Sequence, residues 1–181
     1  VSDQAVVVAD QDPIIARVKE LLGDQISGLT VTPDAFVIEV GRERLIELAT
    51  ILRDDPDLRF NRYVDGTAID YLNQDRTPRF TLVIHLHALA ANRYVRIRVP
   101  VDEDEPEVPS LTDLWPGANY FEREVHDMFG IRFAGHPNLA PILLPDDWDV
   151  NPLRKDFQPP KEPIEFSFNP DQWQKAVPRG E

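Results

Sequence analysis

Residues 79–88 read Arg79-Phe80-Thr81-Leu82-Val83-Ile84-His85-Leu86-His87-Ala88, and their alternation decides the fold class. Phe80, Leu82, Ile84 and Leu86 face one way, while Thr81, Val83, His85 and His87 face the other. A two-residue period of this kind marks a strand with one buried face. Residues 93–99 repeat it, with Val95, Ile97 and Val99 inward and Arg96 and Arg98 outward. Residues 60–71 predict a third strand, interrupted by Gly66 and containing a bulge.

Toward the N-terminus, Asp12-Pro13 reads as a helix N-cap followed by proline at the first helical position. Ile14, Ile15, Val18, Leu21 and Leu22 recur at helical spacing, and Gly23 is placed to end the helix. Residues 29–32 and 35–40 predict two short strands around a Pro33-Asp34 turn. Leu45, Ile46, Leu48, Ala49, Ile51 and Leu52 predict a second amphipathic helix, stopped by Asp54-Asp55-Pro56-Asp57. Two helices on a mixed sheet of about five strands make an α+β fold, a two-layer domain over residues 1–100.

After Pro100 the character changes, and residues 101–135 read as an acidic loop with one short helix. Residues 102–107 carry five acids and no base. Ser110 with Asp113, and Asn119 with Glu122, each have the spacing of a capping box. The second box predicts a helix through about Met128 that Gly130 ends. On it Phe121 and Val125 share a face, and Arg123 and Asp127 are placed to pair on another.

From His136 to Glu181, 46 residues hold nine of the chain's seventeen prolines. Prolines this dense exclude long helices and central strands. Yet Ile142, Leu143, Leu144, Trp148, Leu153, Phe157, Ile164, Phe166, Phe168 and Trp173 are too apolar for a solvated tail. Each gains about 1.5–3 kcal/mol when buried, and a segment unable to fold on itself realises that gain on another surface, in part its own domain and in part a partner. Residues 136–181 therefore read as an extended, partner-wrapping arm.

The totals narrow the function. The absence of cysteine removes disulfides, Cys-ligated clusters and thiol nucleophiles. A net charge of −13 disfavours nucleic acid and anionic lipid as partners. No apolar run approaches the ~20 residues of a membrane span, so direct membrane insertion is not expected. Residues 1–11 hold only Val6-Val7-Val8 as an apolar patch and no base, which predicts no signal peptide.

Three constellations bear on chemistry. His85 and His87, two apart on one strand face, have a metal-ligating geometry that His126, His136 or a carboxylate would have to complete. Glu122 and His126, four apart on a helix, are placed for acid–base work or a metal. The acidic run 102–107 lacks the ligand alternation and glycine of a calcium loop. For each, the structural reading outweighs the chemical one. Asp146-Asp147 and Leu153-Arg154-Lys155-Asp156 are charged islands that serve either solubility alone or a docking register fixed by salt bridges. With no phosphate-binding glycine loop and no nucleophile elbow, the expectation is a binding protein with no catalytic, cofactor or metal residues.

One stretch is far more specific. Glu122-Arg123-Glu124-Val125-His126-Asp127-Met128-Phe129-Gly130-Ile131 closely resembles the hallmark of the C-subunit family of respiratory complex I. Phe133, Gly135-His136-Pro137, Ile142-Leu143, Pro145-Asp146-Asp147-Trp148 and Pro152-Leu153-Arg154-Lys155-Asp156 follow as in that family. Upstream, residues 110–115 and 67–71 resemble it too, so the match runs from about Tyr63 to Asp156. The sequence departs from the pattern at His126, at Ala140-Pro141 and at Val150-Asn151.

The resemblance implies a polypeptide that binds no cofactor itself, with FMN and iron–sulfur clusters held by partner subunits. It implies packing beside the quinone-site (D) subunit and the iron–sulfur (B) subunit of respiratory NADH:quinone oxidoreductase. It also implies a place on the cytoplasmic side of the bacterial membrane, peripheral, through the complex. The interface residues it carries over are Glu122, Arg123, Glu124, Asp127, Met128, Phe129, Gly130, Gly135, His136, Pro137, Trp148, Leu153, Arg154, Lys155 and Asp156. Two alternatives stand beside it: the equivalent scaffold of a membrane-bound [NiFe] hydrogenase or related ion-pumping complex, and a stand-alone metal-dependent hydrolase.

Overall fold

A computed structural model describes residues 13–23, 26–32, 35–145 and 147–158. Asp12, Pro33-Asp34, Asp146 and the apolar residues Ile164, Phe166, Phe168 and Trp173 lie outside the described residues. The elements run α1 (Pro13–Leu22), β1 (Gly28–Val31), β2 (Phe36–Glu39), α2 (Leu45–Asp54), β3 (Arg62–Asp70), β4 (Phe80–Ala88), β5 (Arg93–Val101), β6 (Glu107–Pro109), α3 (Ala118–Phe129) and β7 (Arg132–Ala134).

Five strands form one sheet in the order β1-β2-β5-β4-β3. The β2–β5 pair is parallel and the others antiparallel, so the sheet is mixed and the fold is α+β, as the alternation predicts. Phe80, Leu82, Ile84 and Leu86 of β4 join Val95, Ile97 and Val99 of β5 in one core. Ile15 and Val18 of α1, Leu45, Leu48 and Leu52 of α2, and Ala118, Val125 and Phe129 of α3 belong to the same core. The helices therefore cover one face of the sheet.

The other face carries His85, His87, Arg96, Arg98 and Glu39. There Arg96 Nε donates to His85 Nε2 at 2.7 Å, and Arg98 Nη1 lies 3.6 Å from Glu39. His87 stacks on Tyr94 with ring centroids 4.1 Å apart. The two histidines thus belong to a side-chain network across a sheet face.

Three local expectations are corrected. The bulge expected in β3 is present, between Tyr63 and Asp65, but Gly66 does not interrupt the strand and is regularly paired with Ile84. Gly66 has a different reason to be glycine: a Cβ there would lie 2.3 Å from the Tyr63 hydroxyl and 3.3 Å from Phe121 Cβ. It lets α3 and the Tyr63 ring lie close on β3. The acidic loop leads into β6, which pairs in parallel with β7 and brackets α3. Finally, α3 opens at Ala118 after Gly117, and neither expected capping box forms there. Ser110 Oγ accepts from Thr112 N–H at 3.2 Å instead of serving Asp113, and Glu122 is directed away from the helix start.

Candidate interface site

The motif helix α3 ends at Gly130, whose φ of +74° is left-handed backbone suited to glycine. A helix leaves its last four carbonyls without intrahelical partners. Here all four are met. His126 C=O accepts from Gly130 N–H at 2.8 Å, and Asp127 C=O from Asn151 Nδ2 at 2.9 Å. Met128 C=O accepts from Leu153 N–H at 3.1 Å, and Phe129 C=O from Arg154 Nε at 2.6 Å. The returning arm thus supplies three of the caps. Arg154 also sets a positive charge at the negative end of the helix dipole.

Arg123 and Asp127 do not pair with each other, contrary to the spacing argument. Both reach the arm backbone, one turn apart. Arg123 Nε donates to Ala140 C=O at 2.8 Å and Nη2 to Pro141 C=O at 3.0 Å. Asp127 Oδ2 accepts from Ile142 N–H at 2.7 Å and Leu143 N–H at 2.9 Å. Two carbonyls and the two amides that follow are held by a cation and an anion four residues apart. This works because a peptide offers acceptors and donors in succession.

A second anchor forms at Arg79, which sequence reasoning missed. Its Nε and Nη2 donate to the two oxygens of Asp70 at 3.0 and 2.8 Å. Nη1 and Nη2 donate to the two oxygens of Asp156 at 3.0 and 2.9 Å, and Nη1 also donates to Glu103. Asp70 Oδ2 further accepts from Lys155 N–H at 2.9 Å. Burial pushes the Asp70 carboxyl up, but Arg79 and the N–H groups of Lys155 and Leu72 outweigh it and hold it at about 2. Arg79 likewise holds Asp156 below the usual carboxylate range. No local pattern announces this cluster, because its three carboxylates stand nine, 24 and 77 residues from the arginine.

Glu122 is buried at the base of α3. Its Oε2 accepts from the Ser110 hydroxyl at 2.6 Å and its Oε1 from Leu111 N–H at 2.7 Å. Burial pushes its carboxyl up to about 7, against the pull of those two donors. His136 Nε2 lies 4.0 Å from Glu122 Oε2, and burial lowers the imidazole below its ordinary value. His126, the expected partner of Glu122, instead turns Nδ1 toward Ile131 C=O at 3.0 Å.

The remaining motif residues have simpler places. Glu124 and Pro137 are exposed, Met128 packs partly on the core, and Gly135 has a φ of +82°. Leu143 and Leu153 are 60% and 54% exposed, and Ile142, Trp148 and Val150 are exposed as well. The arm is therefore held through backbone and polar groups, while these apolar side chains point outward. Among the described residues, no three His, Asp or Glu side chains are grouped to hold a metal.

Residues 38–163 match the family described as the respiratory-chain NADH dehydrogenase 30 Kd subunit. The chain belongs to that family. It is 46% identical over 162 residues to the C-subunit of NADH-quinone oxidoreductase from Roseiflexus sp. (strain RS-1), covering 90% of this chain and 92% of the relative. The C-subunit from Citrifermentans bemidjiense is 39% identical, covering 86% and 96%. Among solved structures, a trypsin-resistant fragment of Nqo5 superposes with a TM-score of 0.62 at 32% identity, covering 69% of this chain and 98% of the fragment. A chain of an archaeal membrane-bound sulfane sulfur reductase shares the fold, with a TM-score of 0.65 at 24% identity over 80% and 84%.

The geometry shows how this 30 Kd family member carries its departures from the motif pattern. Arg123 reads the carbonyls of Ala140 and Pro141, which every residue type provides. Asn151 supplies a helix cap through its amide. His126 turns to the backbone of Ile131. Ala140, Pro141, Asn151 and His126 thus each meet a partner within this chain, while Val150 is exposed.

Proposed function

We propose that the chain is a non-catalytic structural subunit of the peripheral arm of NADH:quinone oxidoreductase, stabilising the quinone-reducing module while neighbouring subunits carry electrons. Family membership supports the machine. One observation carries the role: the arm commits its backbone to its own domain and turns Ile142, Leu143, Trp148, Val150 and Leu153 to solvent. A row of large apolar groups on a firmly held strand of chain is the composition of a docking surface.

Its partners in this reading are the quinone-site (D) subunit and the iron–sulfur (B) subunit, with FMN and the clusters held by partner chains. The complex would place it on the cytoplasmic side of the membrane without a span of its own; no described helix is long and apolar enough to cross one. The charged groups at the junction support a structural role, since Arg123, Asp127 and Arg154 each hold backbone and the half-exposed Asp156 pairs with the buried Arg79.

The test is to replace Arg123 with Ala and purify the tagged chain from solubilised membranes. Loss of two charge-assisted bonds to the arm, about 1–3 kcal/mol together, should lower the yield of assembled complex. Turnover per assembled complex should stay unchanged. Full assembly with lost turnover would overturn the structural reading.

A further inference from the structure

Glu122 and His136 face each other at the root of the arm, with side chains 2% and 0% exposed. The Ser110 hydroxyl that donates to Glu122 also lies 2.9 Å from the Thr112 hydroxyl. His136 Nδ1 accepts from Asn138 N–H at 3.0 Å. The ring therefore carries its proton on Nε2, the nitrogen turned to Asn119 C=O and Glu122. Among the described residues, the other titratable or charged groups in electrostatic reach of the pair are Tyr63 of β3, and Arg123 and His126 of α3. Arg123 and His126 are directed to backbone carbonyls. Among the described residues, no arginine or lysine is hydrogen-bonded to Glu122.

We propose that Glu122, Ser110, Thr112 and His136 form a proton-operated latch that sets how firmly the arm root and the 110–115 turn are held against α3. With Glu122 ionised, the Ser110 hydroxyl donates to Oε2. With a proton on Oε2 the bond reverses: the carboxyl donates to Ser110 Oγ, and the Ser110 proton turns to Thr112 Oγ1. One proton is exchanged with solvent, and the heavy atoms need not move. His136 stays neutral in both forms, because a proton on Nδ1 would cost the bond from Asn138.

The direction follows from burial. The closed latch favours the neutral carboxyl, whose value is raised from 4.5 to about 7. Opening wets Glu122 and releases its proton. The stabilisation is thus fully present below about 4.5 and is lost as the pH rises through about 7. His136, lowered by burial from 6.5, opposes this only below about 6.5, where the wetted ring takes up a proton.

Amide hydrogen exchange on the full chain tests the latch, read at Leu111 and Asn138 and corrected for intrinsic pH dependence. Between about pH 6.5 and about pH 8.5 the opening constant should rise roughly fourfold in the wild type and stay flat in Glu122→Gln. Equal change in both proteins, or none in the wild type, would overturn the proposal. Should the variant fail to fold, the carbon-13 shift of the Glu122 carboxyl in the wild type decides. A midpoint near 7 supports the latch, and one near the ordinary 4.5 sinks it.

Discussion

Arg79 has five N–H donors, and the bonds to Asp70, Asp156 and Glu103 occupy all of them. Its side chain and that of Asp70 are 7% and 2% exposed, so the pair is a buried ion pair with complete hydrogen bonding. That is the case in which Coulomb attraction offsets desolvation. Because the folded value of Asp70 lies near 2 against an ordinary 3.8, its stabilisation is fully present above about pH 4. It is lost as the pH falls through 2. Urea unfolding at about pH 5 and about pH 2 should therefore show the wild type losing about 2 kcal/mol more than Asp70→Asn. Equal losses would mean that Asp70 holds nothing in the folded chain. Single residues were the hardest scale to read from sequence. Arg79 had no motif around it, and Glu122 matched a capping pattern that its burial defeats.

The elements were more legible, for a physical reason. Strands β4 and β5 run nine residues each, long enough for alternation to show which face joins the core, although Thr81, Val83 and His87 on the other face of β4 are buried as well. Strands β6 and β7 have three residues each and pair across some 25 positions of chain, so no local period exists to find. The end of α3 was visible as Gly130, but its caps come from Asn151, Leu153 and Arg154 far along the arm. A Cβ at Gly130 would stand 2.6 Å from Asn151 Oδ1 and 2.8 Å from an Arg154 guanidinium nitrogen, on left-handed backbone. Gly130→Ala should therefore cost about 1–3 kcal/mol in thermal unfolding and deprotect the Leu153 amide in hydrogen exchange. An Ala variant with wild-type stability and protection would show that the arm does not cap the helix in solution.

At the scale of the whole molecule, one core runs from Ile14 to Phe133, and the arm crosses its surface with Leu139 packed against it. Three attachments fix the described part of the arm: the Arg123–Asp127 pair near its start, the α3 carbonyls capped by Asn151, Leu153 and Arg154, and the Arg79 cluster near residue 156. Along this stretch Ile142, Leu143, Trp148, Val150 and Leu153 are turned outward, while Leu144 is half-buried. The prolines and apolar residues predict an extended arm that lies partly on its own domain and docks on a partner as well. They could not predict that its polar groups would first bind it to its own domain, since that depends on partners distant in sequence. In the proposed role, the exposed apolar row serves assembly and not the fold. Leu143→Asp with Leu153→Asp, placed at the 60% and 54% exposed positions, separates the two. The deciding measurement is the recovery of partner subunits with the tagged double variant from solubilised membranes, beside its unfolding curve. Stability within about 0.5 kcal/mol of wild type and loss of the partner subunits are expected; wild-type recovery of partners by a folded variant would contradict the role.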